Sequence, residues 1–131
     1  MVSFFNFLFV EPKRAATEDP IIDLLTMRMT ATLRLARPDR IYYLGFHQCV
    51  CGALSLGHNF VLPDGRLTNS LCVHYLAYHR AEVPWYQLRR VRALGHGLAE
   101  PTELELRGQG QGQEKLRMLA ASHEADENQG F

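Results

Sequence analysis

The stretch TMRMTATLRLA, residues 26–36, decides the fold of this chain because two periods compete in it. Read with period two, Met27, Met29, Ala31, Leu33 and Leu35 share one face while Arg28, Thr30, Thr32 and Arg34 share the other, as in a half-buried strand. Composition argues the other way, since Met, Leu, Arg and Ala are good helix formers and a helix running from Asp19 to Ala36 is the competitor. The alternation is the more regular signal, so a strand is expected over Thr26 to Ala36.

Toward the N-terminus, EPKRAATEDP (residues 11–20) ends in Asp19-Pro20, a helix-start signal, and IIDLL after it suits a short helix. The opening MVSFFNFLFV is apolar but lacks a basic region before it, a charged segment follows it, and it is far short of a membrane span. It reads as a first strand or as an apolar arm over the core or a partner subunit, and no membrane association is expected.

Toward the C-terminus, RPDR (residues 37–40) reads as a turn and IYYLGFH (residues 41–47) as a run of β-formers, so the two runs would pair as a hairpin. HNFVL follows, then the tight-turn signal PDG at residues 63–65. TNS at residues 68–70 supplies caps for a helix over LCVHYLAYHR, and PWYQLRRVRALG, between Pro84 and Gly95, reads as a second helix. On that helix Trp85, Leu88 and Val91 would face the body, with Gln87, Arg89 and Arg90 outward.

These readings predict an α+β domain: a small antiparallel sheet of about three strands, from Thr26–Ala36, Arg40–Cys49 and Asn59–Leu62, packed against two short helices. The globular part is placed at residues 1–99. Residues 100–131, which include GQGQGQ at 108–113, read as a flexible acidic and Gly/Gln-rich tail. The length of 131 residues suits one domain with one core. Net charge is zero, an excess of basic residues before position 100 balancing an acidic excess after it, so no global field draws the molecule to nucleic acid or anionic lipid.

The three cysteines, Cys49, Cys51 and Cys72, and the histidines His47, His74 and His79 all fall between positions 47 and 79. An odd count with two cysteines one residue apart argues against a disulfide scaffold and for a reducing, cytoplasmic setting. Thiolate and imidazole are the donors that hold zinc, and a tetrahedral site needs four. On a regular strand Cys49 and Cys51 would stand ~6.6 to 6.8 Å apart at the Cα, too far for one ion, so the pleat must break near Gly52. Cys72 and His79, seven apart, share a helix face, whereas His74 lies ~200° around from Cys72. The predicted metal ligands are Cys49, Cys51, Cys72 and His79, with His47 as substitute.

Cysteine is also a common core residue, and a thiol-based redox or catalytic role for Cys49 and Cys51 is the further alternative. No phosphate loop, nucleophile elbow or H-E-x-x-H motif is present, and the carboxylates show no pairing, so the sequence favours a non-catalytic protein. The function read from the sequence is a small zinc-binding domain that acts by binding another macromolecule, the alternative being a metal-free interaction domain. A protein partner is preferred. Nucleic acid, met through Arg89, Arg90 and Arg92, comes second, because such arginines are more often a solvated face.

Overall fold

In the computed structural model, residues 6–42 and 47–109 are described. The first five residues, Tyr43 to Phe46, the rest of the GQGQGQ tract and EKLRMLAASHEA lie outside them.

The stretch that decides the fold is a helix, α1 (Leu24–Leu35), and not the strand expected there. Asp23, rather than Asp19, caps it, its carboxylate accepting the Thr26 backbone N–H at 3.2 Å. Among its buried positions, Thr26, Met29, Thr30 and Leu33 follow the i, i+3, i+4, i+7 spacing of a helix face. In a strand Thr30 and Thr32 would lie on the solvent side. Here the Thr30 hydroxyl donates to the Thr26 carbonyl at 2.8 Å and that of Thr32 to the Arg28 carbonyl at 2.9 Å. With those hydroxyls satisfied inside the helix, threonine can sit in the buried stripe. Helix propensity and the Asp23 cap therefore prevail over the alternation.

The sheet consists of β1 (Arg37–Tyr42), β2 (His58–Val61) and β3 (Leu67–Thr68), antiparallel and in that spatial order. RPDR, expected as a turn, opens β1, with Pro38 opposite Phe60. Among the described residues β1 is an edge strand, where a residue without an N–H is tolerated. The PDG turn forms as expected: the Leu62 N–H donates to the Arg66 carbonyl at 2.8 Å and the Gly65 N–H to the Leu62 carbonyl at 2.9 Å. It joins β2 to β3, a strand the sequence did not suggest.

The helices after the sheet are α2 (Cys72–Tyr78), a 3-10 turn at Arg80–Glu82, α3 (Trp85–Arg92) and α4 (Glu103–Leu106). Among the described residues the architecture is thus α+β, a three-stranded antiparallel sheet with four short α-helices. α4 lies in the segment read as tail, and it is fixed by a capping box in which Thr102 and Glu105 satisfy each other's backbone N–H groups. Arg34 of α1 clasps the buried Glu105 carboxylate with two hydrogen bonds, at 2.7 and 3.0 Å. Burial pushes the Glu105 carboxyl up, but Arg34 and the Thr102 N–H outweigh it and leave it below its usual range.

α1 and α2 pack together over a core that includes Met29, Leu33, Leu71, Tyr75 and Leu76. The N-terminal arm joins that core: the Phe7 N–H donates to the Leu67 carbonyl at 2.7 Å, and Phe7 and Leu8 are both fully buried. A positive φ of 55° at Leu8 turns the chain so that consecutive side chains enter the core. The following segment straps the C-terminal end of α2, with Thr17 donating its N–H to the Tyr78 carbonyl and Ile21 to that of Ala77.

α3 buries Gln87 and Val91, and Leu94 continues that face. Trp85, expected to face the body, is 67% exposed. It is the first helical residue after the cap Pro84 and lies ~200° around the axis from Gln87.

Candidate metal centre

Two pieces of chain build the centre. The first is a turn at Cys49–Gly52, in which the Gly52 N–H donates to the Cys49 carbonyl at 2.9 Å and the Cys49 N–H to the Ala53 carbonyl at 2.8 Å. Its arms are tied by a bridge between Gln48 and Leu54 and by Ser55, whose N–H donates to the His47 carbonyl and whose hydroxyl accepts the His47 N–H. Gly52 has φ +96°, which an L side chain rarely adopts. This is the break in the pleat that two thiolates on one ion require, and it brings both sulfurs to the same side.

The second piece is α2 and its end. His74 lies in the helix, while His79 is its C-cap with φ −131° and ψ 33°. Because the chain leaves helical geometry at His79, the ideal ~100° per residue no longer relates the two rings. They meet edge to face with centroids 5.1 Å apart. A regular helix through position 79 would set His74 apart from His79, but the helix stops at Tyr78.

Among the described residues, Cys49, Cys51, His74 and His79 form a group whose ligating atoms all lie within 4.8 Å of one another. Cys49 Sγ is 3.2 Å from His79 Nε2, and Cys51 Sγ is 3.2 Å from His74 Nε2. Cys72 is not in the group. It is fully buried at the start of α2, where burial pushes its thiol up to about 12 despite the Thr68 side chain beside it. His47 stands outside as well, engaged through its backbone with Ser55. The structure thus unites Cys49, Cys51 and His79 of the expected set and puts His74 where Cys72 was expected.

His74 Nδ1 is 2.9 Å from the Leu106 carbonyl. A carbonyl only accepts, so Nδ1 carries the proton and Nε2 presents its lone pair to the centre. Such a backbone partner on the far nitrogen orients metal-binding imidazoles. Burial lowers the pKa of both His74 and His79, so both rings are neutral at neutral pH. Burial raises the Cys49 thiol, and the neighbouring Cys51 side chain adds to this. Without a counter-charge Cys49 therefore keeps its proton, and an ion must displace it.

Access is asymmetric. Cys49, His74 and His79 are buried while Cys51 is exposed. Cys51 and His74 border a cavity of about 650 Å³ whose walls include Leu54, Tyr78, Leu106 and Gln109. All three cysteines are unpaired thiols.

His74 is the residue that sequence reasoning missed. Its signal was the spacing His74-x4-His79, which falls within the H-x3–5-H range of structural zinc sites. No family model, curated protein or solved structure matches this chain. No helix among the described residues is long and apolar enough to cross a membrane.

Proposed function

We propose that the chain is a small, non-catalytic zinc-binding domain in which Cys49, Cys51, His74 and His79 hold one structural ion. The observation that carries this reading is the convergence of two thiols and two imidazoles within 4.8 Å. Bonds of ~2.3 Å to sulfur and ~2.0 Å to nitrogen give a tetrahedral site with edges of roughly 3.3 to 3.8 Å, close to the 3.2 Å of the Cys49–His79 and Cys51–His74 pairs. Two sulfurs and two nitrogens suit zinc better than the oxygen-preferring cations. Four protein ligands also close the coordination sphere, which is the mark of a structural rather than a catalytic site. The ion would tie the 47–55 turn to α2 and, through the Leu106 carbonyl, to α4. Unpaired thiols in a zinc site suit a reducing compartment such as the cytoplasm.

The test is elemental analysis of untagged protein purified without added metal. About one zinc per chain is expected, lost in Cys51→Ser and in His74→Asn, with a lower melting temperature after chelation. Protein free of metal whose melting ignores both zinc and chelator would overturn the proposal.

One observation favours a second reading. Exposed Cys51, the His74 Nε2 and the Leu106 carbonyl line up as nucleophile, base and orienting group beside a cavity. That reading uses half of the cluster and leaves the Cys49–His79 pair without a purpose. The lowered pKa of His74 also makes it a poor proton acceptor. Alkylation of metal-free protein separates the two, because a nucleophilic Cys51 reacts as a thiolate well below pH 8. A structural zinc domain of this size would act by binding another macromolecule.

A further inference from the structure

The sole tryptophan of the chain stands in solvent. Trp85 is the most exposed of the large apolar side chains among the described residues, and the Arg89 guanidinium lies over its ring, 5.6 Å from the centroid. Trp85, Arg89 and Arg92 follow one another at i, i+4 and i+7 on the outward stripe of α3, and all three are exposed. The helix has no acidic residue in its first turn and three arginines in its last.

Pro84, which precedes Trp85 in the chain, borders a groove of about 460 Å³ together with Phe9, Lys13 and Arg14. Two carboxylates border it too, Glu11 and Glu82. The Glu82 carboxylate is engaged by the backbone N–H groups of Lys13 and Arg14, at 2.7 and 2.8 Å, and the Arg14 side chain, itself 84% exposed, is 4.0 Å away from it. The side chains of Lys13 and Arg14 are thus exposed, and the Glu82 carboxylate is engaged mainly by backbone N–H groups. Arginines in a last turn are accounted for by the helix dipole alone. An indole left in water beside them is not, since tryptophan usually contributes its large area to a core or an interface.

We infer that the Trp85–Arg89–Arg92 face of α3, with Lys13 and Arg14 beside it, binds single-stranded nucleic acid, one base stacking on the indole and the phosphates lying along the cations. This names the partner for the binding-module reading and rests on that reading, but it does not rest on the metal. The chemistry favours this occupant because every base has a π-face, stacking on an aromatic is tolerant of sequence, and arginine suits phosphate geometrically. An acidic peptide would satisfy the cations and leave the indole without a matching planar group. A duplex hides its base faces in its own stack.

The test uses the full chain, with its metal content measured alongside, and a fluorescently labelled oligothymidylate followed by anisotropy; quenching of tryptophan emission is recorded in parallel. Binding is expected to quench the indole and to weaken steeply with salt. Trp85→Ala should lower the affinity about tenfold or more while Trp85→Phe retains most of it, because phenylalanine still offers a ring. Replacing Arg89 and Arg92 by alanine should reduce the slope of log affinity against log salt by about two. Absence of binding would overturn the inference, and so would binding indifferent to Trp85→Ala. Equal affinity for duplex, heparin or polyglutamate would do the same, since it would show a merely electrostatic surface. Zinc-loaded protein that ignores the oligonucleotide would sink this inference and leave the metal centre intact.

Discussion

His74 and Cys72 sit two positions apart on α2 and carry opposite expectations. His74 presents Nε2 to the two cysteines while Leu106 holds its other nitrogen, whereas Cys72 is enclosed by the core. His74→Asn should reduce zinc affinity by more than about 100-fold, a ligand mattering more than the outer-shell partners whose loss costs 10–100-fold. Cys72→Ala should leave zinc stoichiometry unchanged and destabilise the fold by about 1 kcal/mol, the ordinary effect of a small cavity. Competition with a chromophoric chelator measures the first and urea unfolding the second. The two cysteines and His79 were legible in the sequence from the crowding of donors. His74 was hidden because helical-wheel geometry holds only inside a helix, and the backbone of His79 has already left it.

Single elements depend on contacts that can be tested one at a time. Gly52 closes the cysteine turn with φ +96°, and a Cβ there would meet nothing within 4 Å, so Gly52→Ala introduces backbone strain alone. A loss of about 1 kcal/mol is expected, together with weaker metal binding because the turn aims both sulfurs. Arg34 and Glu105 fix α4, which in turn places the Leu106 carbonyl on His74. Glu105→Gln should cost about 1–3 kcal/mol by thermal unfolding, less than a wholly buried pair because Arg34 is partly exposed. It should also weaken zinc binding at a distance.

Asp23 caps α1 and grips Arg80, whose guanidinium holds its pKa down at about 2 against an ordinary 3.8. The folded value is depressed, so this contribution is present above about pH 4 and is lost as pH falls toward 2. Asp23→Asn should flatten acid unfolding in that window, as a pH titration of circular dichroism would show. The start of α1 was misplaced in the sequence because Asp19-Pro20 is the more conventional signal. Its type was misread because Thr30 and Thr32 satisfy their hydroxyls on the preceding turn, an option that a polar/apolar count does not contain.

At the scale of the whole molecule, the sequence was sufficient for an α+β domain with a small antiparallel sheet, since the PDG turn, Pro84 and the β-rich run at His58–Leu62 carry local signals; the count of three strands holds with β3 in the place of the strand expected over Thr26–Ala36. It was insufficient for α4 and for the outward turn of Trp85, which depend on long-range partners: Arg34 and His74 for the one, the face chosen by Gln87 and Val91 for the other. The centre joins the 47–55 turn to α2 and α4, so metal binding and folding are expected to be coupled. Zinc bound there as proposed would displace the proton of the buried Cys49 thiol, and acid would also charge the two imidazoles. Binding at pH 7 should therefore release protons, and affinity should fall as pH is lowered, which calorimetry in buffers of different ionisation enthalpy would detect.

The most direct test of the four-residue centre is X-ray absorption at the zinc edge of the loaded protein. Two sulfurs at ~2.3 Å and two imidazole nitrogens at ~2.0 Å are expected. Three sulfurs would bring Cys72 back as a ligand, and a shell of six oxygens or nitrogens would mean that the ion is not held at this site.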